Sequence, residues 1–480
     1  MIQRLNSDFI FDSTHLFHEN GISLEMLQAA ENKIQAAGQK MNIIREIGEF
    51  SGHLSKDGEP EKVLFAQLPF PSVSGPNVPK ELERLSKFGE QARHRIDSVI
   101  SFGIGGSYLG NQVLFDLHCG EFWNAKNTEE RSGWPRMYFS GNSLDPQSST
   151  AIAGEIIRQS KVAQSHGKPY QALLVVISKS GSTVDTMASF FVVKEILEKA
   201  EVDFEVWAVT DPAEAEYATW LGKLADQEKW PRFSIPDGVG GRFSVLSEVG
   251  LVTAALIGFD IKAFLQGAAH VDEECCSDHW QTNPALLNGA AKWLLATKRD
   301  LWIEVFMPYG RCLKSLSEWY VQLLAESLGK RLNSAGEEIN YGRTPVVAVG
   351  TTDMHAQTQA HQDGRRDKLI QFLAIKKWEN DPTIPNLYPA YPVFSEWSGK
   401  TLGEALEIAR QSNDEALWQD GRLSALISLP ELSPYLIGQL FYFLMLSVVY
   451  EGILADVDPF DQPGVEAYKK IMSFKLKVKQ

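Results

Sequence analysis

Cysteine is scarce in this chain of 480 residues: there are four, Cys119, Cys275, Cys276 and Cys312. None stands in a CxxC spacing, and an adjacent pair is a poor clamp for a metal ion, so no structural zinc is expected and the chain reads as a reduced protein. Positive charge is also in short supply. The 46 Lys and Arg against 61 Asp and Glu leave a net charge of −15. That balance argues against a general nucleic-acid or membrane-surface role, both of which need a basic face. An anionic ligand would need a local positive site against an unfavourable global field. Long apolar runs are missing as well. The longest, Tyr435–Tyr450, is interrupted by Gly438, Gln439 and Ser447 and falls short of the about 20 apolar residues of a membrane span. It reads as a buried core helix. The opening MIQRLNSDFIFDS lacks the apolar centre of a signal peptide, and the expected location is the cytoplasm.

What is present is an alternation of strands and helices. Apolar, β-branched runs predict strands at Ser98–Phe102, Arg136–Ser140, Leu173–Ile177, Glu205–Thr210, Leu301–Met307, Val346–Val349 and Leu369–Ala374. Helix-spaced segments separate many of them, which predicts an α/β protein with parallel sheets covered on both faces. Such sheets bind ligands where strand C-termini meet loops. The strands fall into two clusters, 98–210 and 301–374, so two doubly wound domains are expected, with the crossover between Phe259 and Asn283. Helical spacing at Met26, Ala29, Ala30 and Ile34 predicts an N-terminal helical extension over 1–60. The α/β domains are expected at 61–265 and 266–433. Leu436–Leu454 and Val465–Met472 read as a helical tail within 434–480.

Three loops suit an anion. Leu173–Ile177 runs straight into Ser178, Lys179, Ser180, Gly181, Ser182 and Thr183, after which helical spacing begins. Hydroxyls, a lysine and unpaired helix N–H groups then point at one spot, and the helix dipole favours negative charge there. The plain alternative is a helix cap, in which Ser182 or Thr183 satisfies the first turn; both uses draw on the same N–H groups. Ser98–Phe102 is followed by Gly103-Ile104-Gly105-Gly106-Ser107-Tyr108-Leu109-Gly110. Tyrosine at 108 breaks the dinucleotide pattern and no Gly-Lys-Ser/Thr follows. The glycines either bring backbone N–H groups close to a ligand or make a tight strand–helix turn. The segment Gly238–Ser247 places Arg242 after a glycine pair. That arginine either holds a phosphate or an oxyanion or sits on a solvated turn.

Three further positions suit acid–base chemistry. Leu316, Trp319, Tyr320, Leu323 and Leu324 form a helical apolar stripe that Glu326 shares, and Gly329 supplies a stop. Burial and the negative end of a helix both disfavour the carboxylate anion, which is how a general base is tuned toward neutral pH. Pairing with Lys330, at i+4, is the alternative. His355 follows the strand Val346–Val349, where α/β sites form; His361 comes too late for a zinc helix pair at i, i+4. A lone loop histidine is otherwise structural. Lys469, in Asp461-Gln462-Pro463-Gly464-Val465-Glu466-Ala467-Tyr468-Lys469, is either functional or part of a solvated helix face, on which Glu466 and Lys470 are spaced to pair.

Taken in this order, the motifs resemble the glucose-6-phosphate isomerase family over roughly residues 60 to 472. They are GIGGSYLG at 103–110, SKSGST at 178–183, GGRFSVLS at 240–247, ESLGK at 326–330, His355 in TTDMHAQTQ and Lys469 in QPGVEAYK. The length and the TTDMH version look like the compact bacterial branch. The resemblance implies two doubly wound parallel-sheet sugar-isomerase (SIS) domains with N- and C-terminal helical extensions, and no metal or cofactor. It implies a sugar phosphate substrate bound by Gly106, Ser107, Ser178, Lys179, Ser180, Thr183 and Gln462. Catalysis would fall to Glu326, His355, Lys469 and Arg242. The family also implies a homodimer in which His355 serves the neighbouring subunit. Two rivals share the phosphate loop: another SIS-domain phosphosugar isomerase, and a non-catalytic phosphosugar-binding regulator.

Overall fold

In the computed structural model of the chain, residues 1–54, 58–212 and 218–478 are described. They form two compact units: Lys62–Gln266, and a discontinuous unit that joins Met1–Glu61 to Gly267–Gln480. The discontinuous unit opens with two short strands, β1 (Ile2–Arg4) and β2 (Ile10–Asp12), ahead of the helices that spacing predicts for this segment. Strands of three residues are too short to carry a period-2 signal.

The Lys62–Gln266 unit holds β3 (Ser98–Phe102), β4 (Arg136–Ser140), β5 (Ala172–Ile177), β6 (Phe204–Thr210) and the short β7 (Arg232–Ser234). All neighbours are parallel, in the order β4-β3-β5-β6-β7. Every residue of β5 is buried, as expected of an uninterrupted apolar run in a sheet covered on both faces. The winding reverses at β3, with β4 on one side and β5 on the other. Such a switch point opens a crevice at the strand C-termini. Helix α1 (Val184–Lys199) starts from the loop after β5, and α2 (Glu248–Ile257) is buried along its whole length.

The discontinuous unit adds β8 (Ile303–Pro308), β9 (Lys330–Leu332), β10 (Glu338–Tyr341), β11 (Thr344–Val347), β12 (Lys368–Ile375) and β13 (Leu423–Leu429). β9 and β10 form a separate antiparallel ribbon. The main sheet runs β1-β2-β13-β12-β8-β11. β11, β8, β12 and β13 are parallel, β2 pairs antiparallel with β13, and β1 pairs antiparallel with β2 at the edge. Here too the winding reverses at its first parallel strand, with β11 on one side of β8 and β12 on the other. The helices of this unit include α3 (Pro284–Arg299), α4 (Lys314–Leu328), α5 (Pro434–Leu454) and α6 (Glu466–Val478). Among the described residues α5 is the one helix long and apolar enough to cross a membrane, and it lies buried inside its unit.

A buried ionic network locks this unit. Lys292 on α3 donates to Glu304 Oε1 on β8 at 2.7 Å. Arg343, just before β11, contacts the other Glu304 oxygen and grips both oxygens of Glu451 on α5 at 2.6 Å each. Tyr320 on α4 donates to Glu304 and Tyr341 to Glu451, both at 2.9 Å. The four charged side chains are at most 1% exposed. Burial alone would raise the Glu304 carboxyl, but Arg343 and Lys292 outweigh it and hold Glu304 well below the usual carboxylate range. Burial pulls the Lys292 ammonium down more than its anionic neighbours restore it.

Removing one partner of such a network leaves an uncompensated buried charge, which costs about 3–5 kcal/mol. Arg343→Met strands both Glu304 and Glu451. Chemical denaturation should show a loss of that size, and a loss below about 1 kcal/mol, the scale of an exposed pair, would contradict the structural role given to the network.

Candidate active site

In the Lys62–Gln266 unit the three anion-suited loops meet at the switch point. The glycine turn leaves β3 and the hydroxyl loop leaves β5, the two strands that flank the crevice. Gly106 packs directly on the Gly241 backbone: a Cβ built at Gly106 would lie 2.0 Å from the Gly241 carbonyl oxygen. Ser244 Oγ donates to Gly241 O at 2.7 Å. Lys179 crosses from the hydroxyl loop to the Val239 carbonyl at 3.1 Å. Backbone approach this close requires glycine at 106.

The hydroxyl loop is organised around Thr183. Its Oγ1 lies 3.1 Å from Ser178 Oγ and 3.3 Å from Ser180 Oγ. Thr183 occupies the N-cap position of α1, but its side chain makes no cap hydrogen bond. The capping role open to Thr183 is therefore not the one its hydroxyl plays. Gly181 sits at φ +63°, and a Cβ there would lie 2.4 Å from Thr219 Oγ1, so the turn itself demands glycine. A cluster of hydroxyls beside a helix N-terminus is chemically fitted to an anion.

Arg242 is not on a solvated turn. It is 1% exposed, inside the short 3₁₀ segment Gly241–Leu246, with its guanidinium 5.3 Å from the Phe243 ring centre. A glycine pair carries no periodicity, so burial at 242 has no signal in the sequence beyond the apolar residues that follow.

In the discontinuous unit, Leu316, Trp319, Tyr320, Leu323 and Leu324 are buried as their spacing predicts. Glu326 is half-buried at the flank of that stripe, near the C-terminus of α4. Gln322 Nε2 donates to its Oε1 at 3.1 Å. Lys330 reaches the Glu326 main-chain carbonyl at 2.6 Å, and it binds Asp461 through O at 2.7 Å and Oδ1 at 2.9 Å. Lys330 thereby ties the end of α4 to the residue before Gln462. Spacing marks Lys330 only as an i+4 partner and gives no sign of this bridge. Gln462 is exposed. Lys469, on α6, is about half-exposed and pairs with Glu466 at 3.0 Å, whereas spacing offers Lys470 as that partner.

His355 is exposed on the short helix Thr352–Ala356 after β11. It lines a groove of about 600 Å³ together with Gly310, Arg311, Trp378 and Trp397. The groove lies where β8, β11 and β12 end, at the switch point of this sheet. Glu326 lies at the other end. α4 returns from the end of β8 to the start of β11, and Gly329 packs against Gly342, two residues before β11. Within one chain, Glu326 therefore lies toward the strand N-termini and His355 at the strand C-termini.

Hydroxyl and glycine loops at the switch point of one doubly wound sheet, and a second wound sheet carrying a carboxylate and a histidine, define an α/β protein with one crevice chemically fitted to an anion. Comparison with known proteins narrows the class. Residues 80–478 match the phosphoglucose isomerase family. A glucose-6-phosphate isomerase of Carboxydothermus hydrogenoformans is 35% identical over 403 residues, which cover 82% of each chain. A probable glucose-6-phosphate isomerase of Methanococcus maripaludis is 32% identical over 470 residues, 97% of this chain and 94% of its own. A solved protein of Thermus thermophilus, described as hypothetical, is 29% identical and superposes with a TM-score of 0.77 over 99% of this chain and 100% of its own. The chain belongs to the phosphoglucose isomerase family.

Gly106→Ala tests the packing of the glycine turn on the Gly238–Ser247 loop. The Gly241 carbonyl is main chain and cannot swing aside, so the added methyl should cost about 1–3 kcal/mol as an overpacked contact. Denaturant midpoints measure this, and an unchanged midpoint would contradict the close approach.

Proposed function

We propose that this protein interconverts glucose 6-phosphate and fructose 6-phosphate through a cis-enediol. The observation that carries the reading is its membership of the phosphoglucose isomerase family, through a stretch that includes every candidate residue from Gly106 to Lys469. The substrate phosphate is held by Ser178, Ser180 and Thr183, with Lys179 and the N–H groups at the start of α1. Gly106 and Ser107 offer further backbone N–H groups, and Gln462 a side-chain contact. His355 and Lys469 open the sugar ring by proton transfer. Glu326 then takes the proton from C2; the C2–H electrons form the C1–C2 double bond, and the former carbonyl oxygen becomes an enediolate. The same carboxyl returns its proton to C1, where the C1–C2 electrons form the new C–H bond; the C2 hydroxyl gives up its proton and becomes the ketone carbonyl, and the C1 oxygen takes a proton to become the new hydroxyl. Arg242 stabilises the negative oxygen, and its burial strengthens that interaction.

The same reading makes the protein a homodimer, in which His355 acts on the substrate of the neighbouring subunit. Two observations support it. Glu326 and His355 lie at opposite ends of their sheet, too far apart to serve one substrate from one chain. Trp397, which lines the His355 groove, belongs to the segment 387–397, where Leu387, Tyr388, Tyr391 and Phe394 are also exposed, and an exposed apolar patch marks an interaction site. The reading places the enzyme in the cytoplasm and in glycolysis, and the four free cysteines suit a reducing compartment.

An assay that couples glucose 6-phosphate formation from fructose 6-phosphate to glucose-6-phosphate dehydrogenase tests the reaction; no product from the wild type sinks it. Glu326→Gln should still bind sugar phosphate but lower kcat by about 10²–10⁴, the usual worth of a general base. It should also abolish exchange of the C2 proton with solvent. Exchange near the wild-type rate would remove Glu326 from its role.

A further inference from the structure

The six-stranded sheet has a second concavity, at the end opposite the His355 groove. It lies where β8, β12 and β13 begin, has a volume of about 590 Å³, and contains none of the residues assigned to the isomerase. Its walls gather Lys298, Arg299, Arg366, Lys368 and Arg422 against a single acidic lining residue, Asp300. In a chain with a net charge of −15 that is a marked local reversal of sign, and a concave, low-dielectric wall focuses such a field.

The five cations do different work. Arg422 is buried and spent on main-chain carbonyls, including Gly364 O at 2.8 Å and Arg365 O at 3.2 Å, and on Asp420 Oδ2 at 3.3 Å. Arg299 donates to Gly21 O at 2.7 Å. These two build the wall. Arg366 holds Asp420 through O at 2.7 Å and Oδ2 at 3.2 Å, but its side chain is 54% exposed and has further N–H donors. Lys368 is shared with Asp367 at 2.7 Å and Arg365 O at 2.7 Å. Lys298, in the last turn of α3, makes no hydrogen bond or ion pair among the described residues. Asp367 and Asp420 thus offset part of the charge, yet positive groups remain in excess at the mouth. Trp302 adds a fixed aromatic wall: its Nε1 donates to Asp300 Oδ1 at 2.6 Å, and its ring meets Tyr341 edge-on at 5.6 Å.

We propose that this pocket is a second anion site, which binds a small compound carrying two or more phosphate charges. Guanidinium forks and a lysine ammonium are the groups that recognise phosphate oxygens. The volume falls in the range of small-molecule sites, about 300–1,000 Å³. A bare polyphosphate and a nucleoside diphosphate share this chemistry; the second would also use Trp302.

Calorimetric titration of the full chain with pyrophosphate, and separately with ADP, tests the proposal. The wild type should bind pyrophosphate, more weakly as salt rises, and Lys298→Glu with Arg366→Glu should raise Kd by at least about tenfold, a difference of about 1.4 kcal/mol. The milder Lys298→Gln with Arg366→Gln should give the same direction if charge reversal harms folding. ADP tighter than pyrophosphate assigns a nucleotide and equal affinity assigns the polyphosphate alone; both support the site. Absence of wild-type binding, or equal affinity in wild type and both variants, overturns it. All three proteins share residues 178–183, so the difference reads this pocket whether or not the isomerase reading stands.

Discussion

The constraint on which the discontinuous unit depends is the burial of Lys292, Glu304, Arg343 and Glu451 in one contiguous set of charges. Ions taken out of water are tolerated only when each meets its partners at hydrogen-bonding distance. Here the partners come from α3, β8, the residue before β11 and α5, with Tyr320 supplied by α4. A shift of any one of these elements would leave a charge unpaired. The network therefore holds one arrangement, and α4 inherits it: Tyr320 sits in the network, and Glu326 is six residues further along the same helix. Lys330 completes the hold on that end by joining the last turn of α4 to Asp461.

The parallel wound architecture is legible because buried strands are written as unbroken β-branched runs. β3 and β4 have the expected bounds, and β5 and β6 begin one residue early. β13 is not among the expected strands. Ser424 and Ser428 interrupt its apolar run, and their burial depends on tertiary partners such as Asp414, 2.5 Å from Ser424 Oγ. The strands β1, β2, β7, β9 and β10 are too short for any period to show.

The site divides in the same way. The glycine turn and the hydroxyl loop are legible as chemistry, since residue types and strand ends define them locally. Their meeting is not, because it rests on the sheet order that brings β3 beside β5 and on a glycine-to-glycine contact between 106 and 241. Spacing puts Glu326 on the buried stripe, but the stripe continues through Ser327, which is buried, and leaves Glu326 turned off its centre by about 100°. For a proposed base this half-buried flank is the more useful place, since it keeps the carboxylate within reach of a substrate. Arg242, for which the sequence leaves a solvated turn open, is buried instead.

Both sheets reverse their winding at the first parallel strand, so each presents a crevice at its strand C-termini. In one the crevice gathers the glycine turn and the hydroxyl loop; in the other it is the groove that holds His355. The proposed base does not share that groove, in keeping with the central proposal that a working site takes Glu326 from one chain and His355 from another. The direct measurement is the activity of purified mixed dimers, made from differently tagged chains carrying either Glu326→Gln or His355→Ala. In such a dimer one site keeps both residues and the other loses both, so the account predicts about half of wild-type kcat per dimer while each parent homodimer is nearly inactive. Mixed dimers as inactive as the parents would contradict it.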